Sequence, residues 1–170
     1  YWSDRVYHHT SSSTLNYGLL EALTLIEEEG LQHRFSRHLR NHRALVAAIE
    51  AMGLEMFVTA EYRLPSLNTI RVPHGVDDAQ VRGYLLERFN LEIGGGLGSI
   101  AGKVWRVGLM GYSSSPERIL FFLSCISHAL AEQGVSTDLK AGLSAAMEGL
   151  NKSAFTSRAD RSATNEMRFR

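Results

Sequence analysis

The stretch Val104-Trp105-Arg106-Val107-Gly108-Leu109-Met110 decides the fold. It is apolar, rich in residues that favour extended backbone, and too short to be a core helix, so it reads as a strand. Successive side chains of a strand point to opposite faces. Trp105, Val107 and Leu109 then face one way, and Val104, Arg106, Gly108 and Met110 the other. Arg106 therefore sits beside a residue without a side chain, which leaves room next to a guanidinium. A buried guanidinium without a partner is costly, and its rigid fork matches a carboxylate or phosphate at two points. Spacing alone leaves two readings open. Arg106 is either an anion site for a small ligand, or a structural arginine paired with an internal acid or reaching water from an edge strand.

Around this strand the pattern is mixed. Leu15, Leu19, Leu23 and Ile26 recur at helical spacing after Ser13 or Thr14, either of which suits a cap. Gly30 interrupts. A second helix is expected over 31–52, with Phe35, Leu39, Val46 and Ile49 inward and Arg34, Arg37, His38, Arg40, His42 and Arg43 on a solvated face. Gly53 suits its C-terminal cap. Glu55–Thr59 and Leu67–Val72 read as short strands, the second bracketed by Pro65 and Pro73. Asp77 or Asp78 starts a third helix carrying Val81, Leu85 and Phe89, and Asn90 ends it. Leu91–Ile93 reads as a strand entering the run Gly94-Gly95-Gly96-Leu97-Gly98. Ser115 and Pro116 open a fourth helix whose buried stripe is Ile119, Phe122, Leu123, Ile126 and Leu130, with Cys125 as a core residue. The order implies an α+β fold, a small sheet covered by helices. Three regions are expected: a connecting segment over 1–12, an α+β domain over 13–133, and a polar, weakly ordered tail over 134–170 with a weak amphipathic helix near 137–150.

The chain has 170 residues, 18 basic and 18 acidic, and a formal net charge of zero. That balance argues against nucleic acid as the main partner. No apolar run approaches the roughly 20 residues of a membrane span. One cysteine excludes an internal disulfide framework and fits a reducing compartment. The last residues, Met167-Arg168-Phe169-Arg170, are not a peroxisomal signal of the Ser-Lys-Leu type, and a soluble intracellular location is expected. The first residues, Tyr1-Trp2-Ser3-Asp4, suggest a piece of a longer chain.

Two further segments bear on chemistry. Tyr7-His8-His9-Thr10 lacks ligand spacing for a metal site. Its hydroxyls, ahead of a helix N-terminus, suit an anion, and a plain capping loop suits them equally. The glycine run lacks the strand–loop–helix context of a dinucleotide site and the Lys-Ser/Thr ending of a phosphate loop. It signifies close backbone approach, a mobile loop over a pocket, or a flexible hairpin.

Tyr7-His8-His9-Thr10, Leu64-Pro65-Ser66-Leu67-Asn68-Thr69, Ile93-Gly94-Gly95-Gly96-Leu97-Gly98 and Gly102-Lys103-Val104-Trp105-Arg106-Val107-Gly108-Leu109-Met110-Gly111 follow one another in a single order. Together they resemble the C-terminal part of alanine–glyoxylate (serine–pyruvate) aminotransferases, in the class V group of pyridoxal-phosphate enzymes. The resemblance covers residues 1–132. It implies the small domain of a fold type I enzyme that works as a homodimer on small amino and keto acids, moving an amino group from alanine or serine to glyoxylate or pyruvate. It implies that Tyr7 and Thr10 contact the cofactor phosphate across the dimer interface and that Arg106 binds the substrate carboxylate. The lysine that forms the Schiff base with pyridoxal 5'-phosphate belongs to the large domain of such enzymes. None of Lys103, Lys140 and Lys152 stands in its context, so this chain alone is expected to be inactive. A cysteine desulfurase is disfavoured, because Cys125 lies on an apolar helix stripe. The reading from another class is a stand-alone α+β domain that binds a small anion without catalysis.

Overall fold

Ser12, rather than Ser13 or Thr14, caps the first helix. In the computed structural model, which describes residues 10–151, its hydroxyl accepts a hydrogen bond from Leu15 N. α1 (Ser13–Glu29) ends at Gly30, whose φ of 78° suits a residue without Cβ. Leu15, Leu19 and Leu23 keep their helical spacing, yet no α1 residue is buried. α2 covers Leu31–Ala51. The chain divides into two compact units after Ser36, inside α2.

In the second unit, α2 closes at Gly53 (φ 81°), where Leu54 N donates to Ile49 O at 3.0 Å. Its buried side differs from the expected one. Ala44, Leu45, Ala48 and Ile49 are buried together with Asn41 and His42, whereas Phe35 and Leu39 are exposed and Val46 is half-buried. The inward stripe continues as polar residues, Asn41 and His42, toward the helix N-terminus, where hydrophobic spacing gives no signal.

β1 (Leu67–Arg71), β2 (Gly94–Gly95) and β3 (Val104–Gly108) form an antiparallel sheet in the order β1-β3-β2. Two expected strands are absent. Glu55–Thr59 makes only a short bridge, Met56 opposite Ile70, before the chain turns into a 3-10 turn at Ala60–Tyr62. Leu91–Ile93 is not paired. The pairing falls instead on the two glycines that follow, Gly94 opposite Arg106 and Gly95 opposite Trp105. α3 (Asp78–Phe89) starts at Asp77, whose carboxylate accepts from Gln80 N, and ends at Asn90 in the left-handed region, φ 50°. α4 (Pro116–Ala131) starts at the Ser115 cap, as its sequence predicts.

Residues 139–151 form a further helix, α5. It packs closely on α2: a Cβ built on Gly142 would meet Met52 Cγ at 2.4 Å, and one on Gly149 would meet Ala44 Cα at 3.1 Å. Ala146 and Leu150 join the core. The start of the expected polar tail is thus an ordered core element, held by small residues that a hydropathy pattern undervalues.

Ile70, Trp105 and Val107 point from one sheet face into this core, against α2, α3, α4 and α5. Cys125 is 2% exposed, and burial raises its thiol pKa, which keeps the reactive thiolate scarce. Iodoacetamide at pH 8 should therefore leave Cys125 unlabelled in the native protein and label it fully in urea. Equal labelling rates in the two states would show that Cys125 is not a core residue.

Candidate functional site

Arg106 projects from the sheet face opposite the core. Its cross-strand neighbours there are Thr69 on β1 and Gly94 on β2. The guanidinium is half-buried, and its Nε donates to Gly95 O at 2.7 Å. Among the described residues no carboxylate pairs with it. The structural ion pair left open by the sequence is therefore not formed with any of them. One edge of the fork is anchored on a backbone carbonyl, and the remaining N–H groups are not matched by an acidic side chain.

A second arginine marks the contrast. A Cβ on Gly95 would meet Arg82 Nε at 3.2 Å, so Arg82 of α3 lies against the other side of the glycine strand. Arg82 is forked onto Asp78, with Nε–Oδ1 at 2.9 Å and Nη2–Oδ2 at 3.1 Å. The hydrogen bonding that Arg82 donates to the Asp78 carboxylate is the main reason that its pKa is raised. Arg82 is thus neutralised by its own helix, one turn away. Arg106 is held by a backbone carbonyl dipole instead.

The glycine run makes the close approach possible. A Cβ on Gly94 would lie 3.2 Å from Arg106 Nη2, and one on Gly96 would lie 1.9 Å from Ile100 O. Close backbone approach is what these glycines provide.

The face of α2 expected to be solvated reaches the end of the Arg106 strand. Arg37 Nη1 donates to Gly111 O at 2.9 Å and to Ser114 O at 2.7 Å. His38 Nε2 accepts from Gly111 N at 3.1 Å, and Asn41 Nδ2 donates to Ser114 Oγ at 3.1 Å. His42 Nδ1 lies 2.6 Å from Asn68 Oδ1, beside Arg106's neighbour Thr69. These side chains fasten the 111–114 turn and β1 to α2. A signal for them exists in the sequence: His38 and His42 extend the stripe of Leu45 and Ile49 by one helical repeat each.

Of the other expected site residues, Thr10 is exposed, two residues before the Ser12 cap, and Tyr7 lies outside the described residues. Among the described residues, no three His, Cys, Asp or Glu side chains gather as a metal site, and no helix is long and apolar enough to cross a membrane.

An antiparallel sheet backed by helices, with a half-buried arginine on the face away from the core, defines the chain as a small α+β domain of the kind found in aminotransferases. Its likeness is to the class V alanine–glyoxylate and ureidoglycine–glyoxylate aminotransferases, and it corresponds to their C-terminal portion. It is 40% identical over 149 residues to (S)-ureidoglycine–glyoxylate transaminase of Bacillus subtilis, a match that takes in 87% of this chain and 36% of the relative. It is 45% identical over 142 residues to alanine–glyoxylate aminotransferase of Drosophila melanogaster, covering 82% of this chain and again 36% of the relative. The crystal structure of the Bacillus subtilis ureidoglycine–glyoxylate aminotransferase superposes with a TM-score of 0.82 at 39% identity, covering 89% of this chain and 39% of that one. That of alanine–glyoxylate aminotransferase from Nostoc sp. gives 0.70 at 48% identity, covering 75% and 34%. The chain thus spans little more than a third of the length of these relatives. No family model matches it.

Proposed function

We propose that this chain is the substrate-holding C-terminal part of a pyridoxal-phosphate-dependent aminotransferase that moves an amino group from alanine or serine to glyoxylate or pyruvate. The observation that supports it is Arg106: a half-buried guanidinium on the sheet face away from the core, anchored through Nε to Gly95 O and left without an acidic partner among the described residues. Its remaining N–H groups hold the carboxylate that amino and keto acid substrates share. That contact fixes the substrate's α-carbon for reaction and is a positioning role.

Tyr7 and Thr10 are assigned to the cofactor phosphate, in a homodimer whose site takes them from the partner subunit. The donor set suits that group. A threonine hydroxyl stands just before the N-terminus of a 17-residue helix, where N–H groups and the helix dipole favour an anion. Pyridoxal phosphate, when bound, supplies the electron sink for amino transfer. The lysine that carries it is assigned to the part of the relatives' length outside this chain, so the chain alone does not transaminate.

The full-length protein, supplied with pyridoxal phosphate, should convert alanine and glyoxylate into pyruvate and glycine, followed by a lactate dehydrogenase assay for pyruvate. The 170-residue chain should produce none. If the full-length protein transfers no amino group while calorimetry shows the chain binding alanine or glyoxylate by itself, the stand-alone anion-binding reading takes its place.

A further inference from the structure

Met110 covers Gly108 on the sheet face that carries Arg106. Its backbone is extended (φ −114°, ψ 139°), so the alternation of β3 continues and Met110 shares the face of Arg106 and Gly108. A Cβ on Gly108 would lie 3.1 Å from Met110 Cε. The methyl group therefore folds back along the strand over Gly108, toward Arg106. At a rise of about 3.3 Å per residue, Gly108 stands roughly 6.6 Å along the strand from Arg106.

Two further observations separate Met110 from a core methionine. It is 57% exposed, while its neighbour Leu109 is 4% exposed and packs in the core. The backbone just after it is pinned, since Gly111 N and O are held by His38 and Arg37. Met110 is thus an apolar, conformationally adaptable side chain on a fixed mount. Across the strand the Arg106 neighbourhood is polar or bare, with Thr69 on one side and Gly94 on the other.

We propose that Met110 is a specificity-determining residue, the apolar wall beside the Arg106 clamp that limits the size of the substrate's side chain. The inference rests on the reading of Arg106 as a carboxylate clamp. One methylene in a hydrophobic pocket changes discrimination about tenfold or more. In the full-length protein with pyridoxal phosphate, Met110→Ala should raise the kcat/KM ratio of 2-aminobutyrate to alanine about tenfold, and Met110→Leu, which keeps the bulk, should restore the wild-type ratio. A ratio within about twofold of wild type in Met110→Ala, while Arg106→Ala still weakens every carboxylate substrate, overturns the role of Met110 and leaves the clamp standing. An equal KM increase for alanine, 2-aminobutyrate and glyoxylate in Met110→Ala also overturns it, because the variant would then act by displacing Arg106. If Arg106→Ala leaves every KM unchanged, the clamp itself is wrong.

Discussion

Arg106→Ala should raise the KM for alanine, pyruvate and glyoxylate alike in the full-length protein, by about 10- to 100-fold. The magnitude follows from losing a charged, two-point hydrogen bond, about 1.5–3 kcal/mol, with a decade for each ~1.4 kcal/mol. The increase should be common to amino and keto acids, because the carboxylate is the group they share. Arg106→Lys should recover only part of it: an ammonium supplies charge but not a planar fork, and it cannot anchor one edge on Gly95 O while presenting the other. The anchoring bond also ties β3 to β2, so circular dichroism should accompany the kinetics. A folded Arg106→Ala protein with every KM within about twofold of wild type would remove Arg106 from the site.

Gly96→Ala should be the most damaging small substitution around the site. The added methyl would come 1.9 Å from Ile100 O, and the obstructing atom is backbone, which cannot rotate away. Overpacking of this kind costs about 3 kcal/mol, and in a domain of this size that lowers Tm by roughly 6–12 °C. The neighbouring Gly98→Ala meets nothing within 4 Å but sits at φ 56°, so its cost is the milder one of a strained backbone, on the order of 1 kcal/mol. A Gly96→Ala protein that melts with the wild type would mean that the 96–100 segment does not approach as closely as described.

The parts of the fold written in local chemistry were legible from the residues alone. Ser115 with Pro116, Asp77 with its helix, Asn90 and Gly53 are each decided by a few neighbouring atoms, and the structure keeps all of them. The alternation of β3 was equally plain, since Trp105, Val107 and Leu109 leave little choice of face. What failed depended on partners far along the chain. β2 has no strand-forming residue and exists because β3 offers it an edge. The buried side of α2 was misjudged because His42 and Asn41 are polar and find their partners 26 and 73 residues away. α5 was undervalued because Gly142, Ala146 and Gly149 contribute close approach rather than hydrophobic bulk. At the candidate site, Arg106 and the room beside Gly108 could be read from spacing. That Met110 turns back to fill part of that room, and that Arg82 is already taken by Asp78, depends on side-chain conformation that spacing does not encode.

β2 consists of two glycines. An entire flank of the candidate site is therefore furnished by amides alone, and amides are the same whatever the gene encodes. Mutation has almost nothing to vary on that side without breaking the pairing. Divergence among descendants of this domain is channelled to the opposite flank and the strand's far end, at Thr69 and Met110, and a library meant to redirect its substrate choice should begin with those two codons.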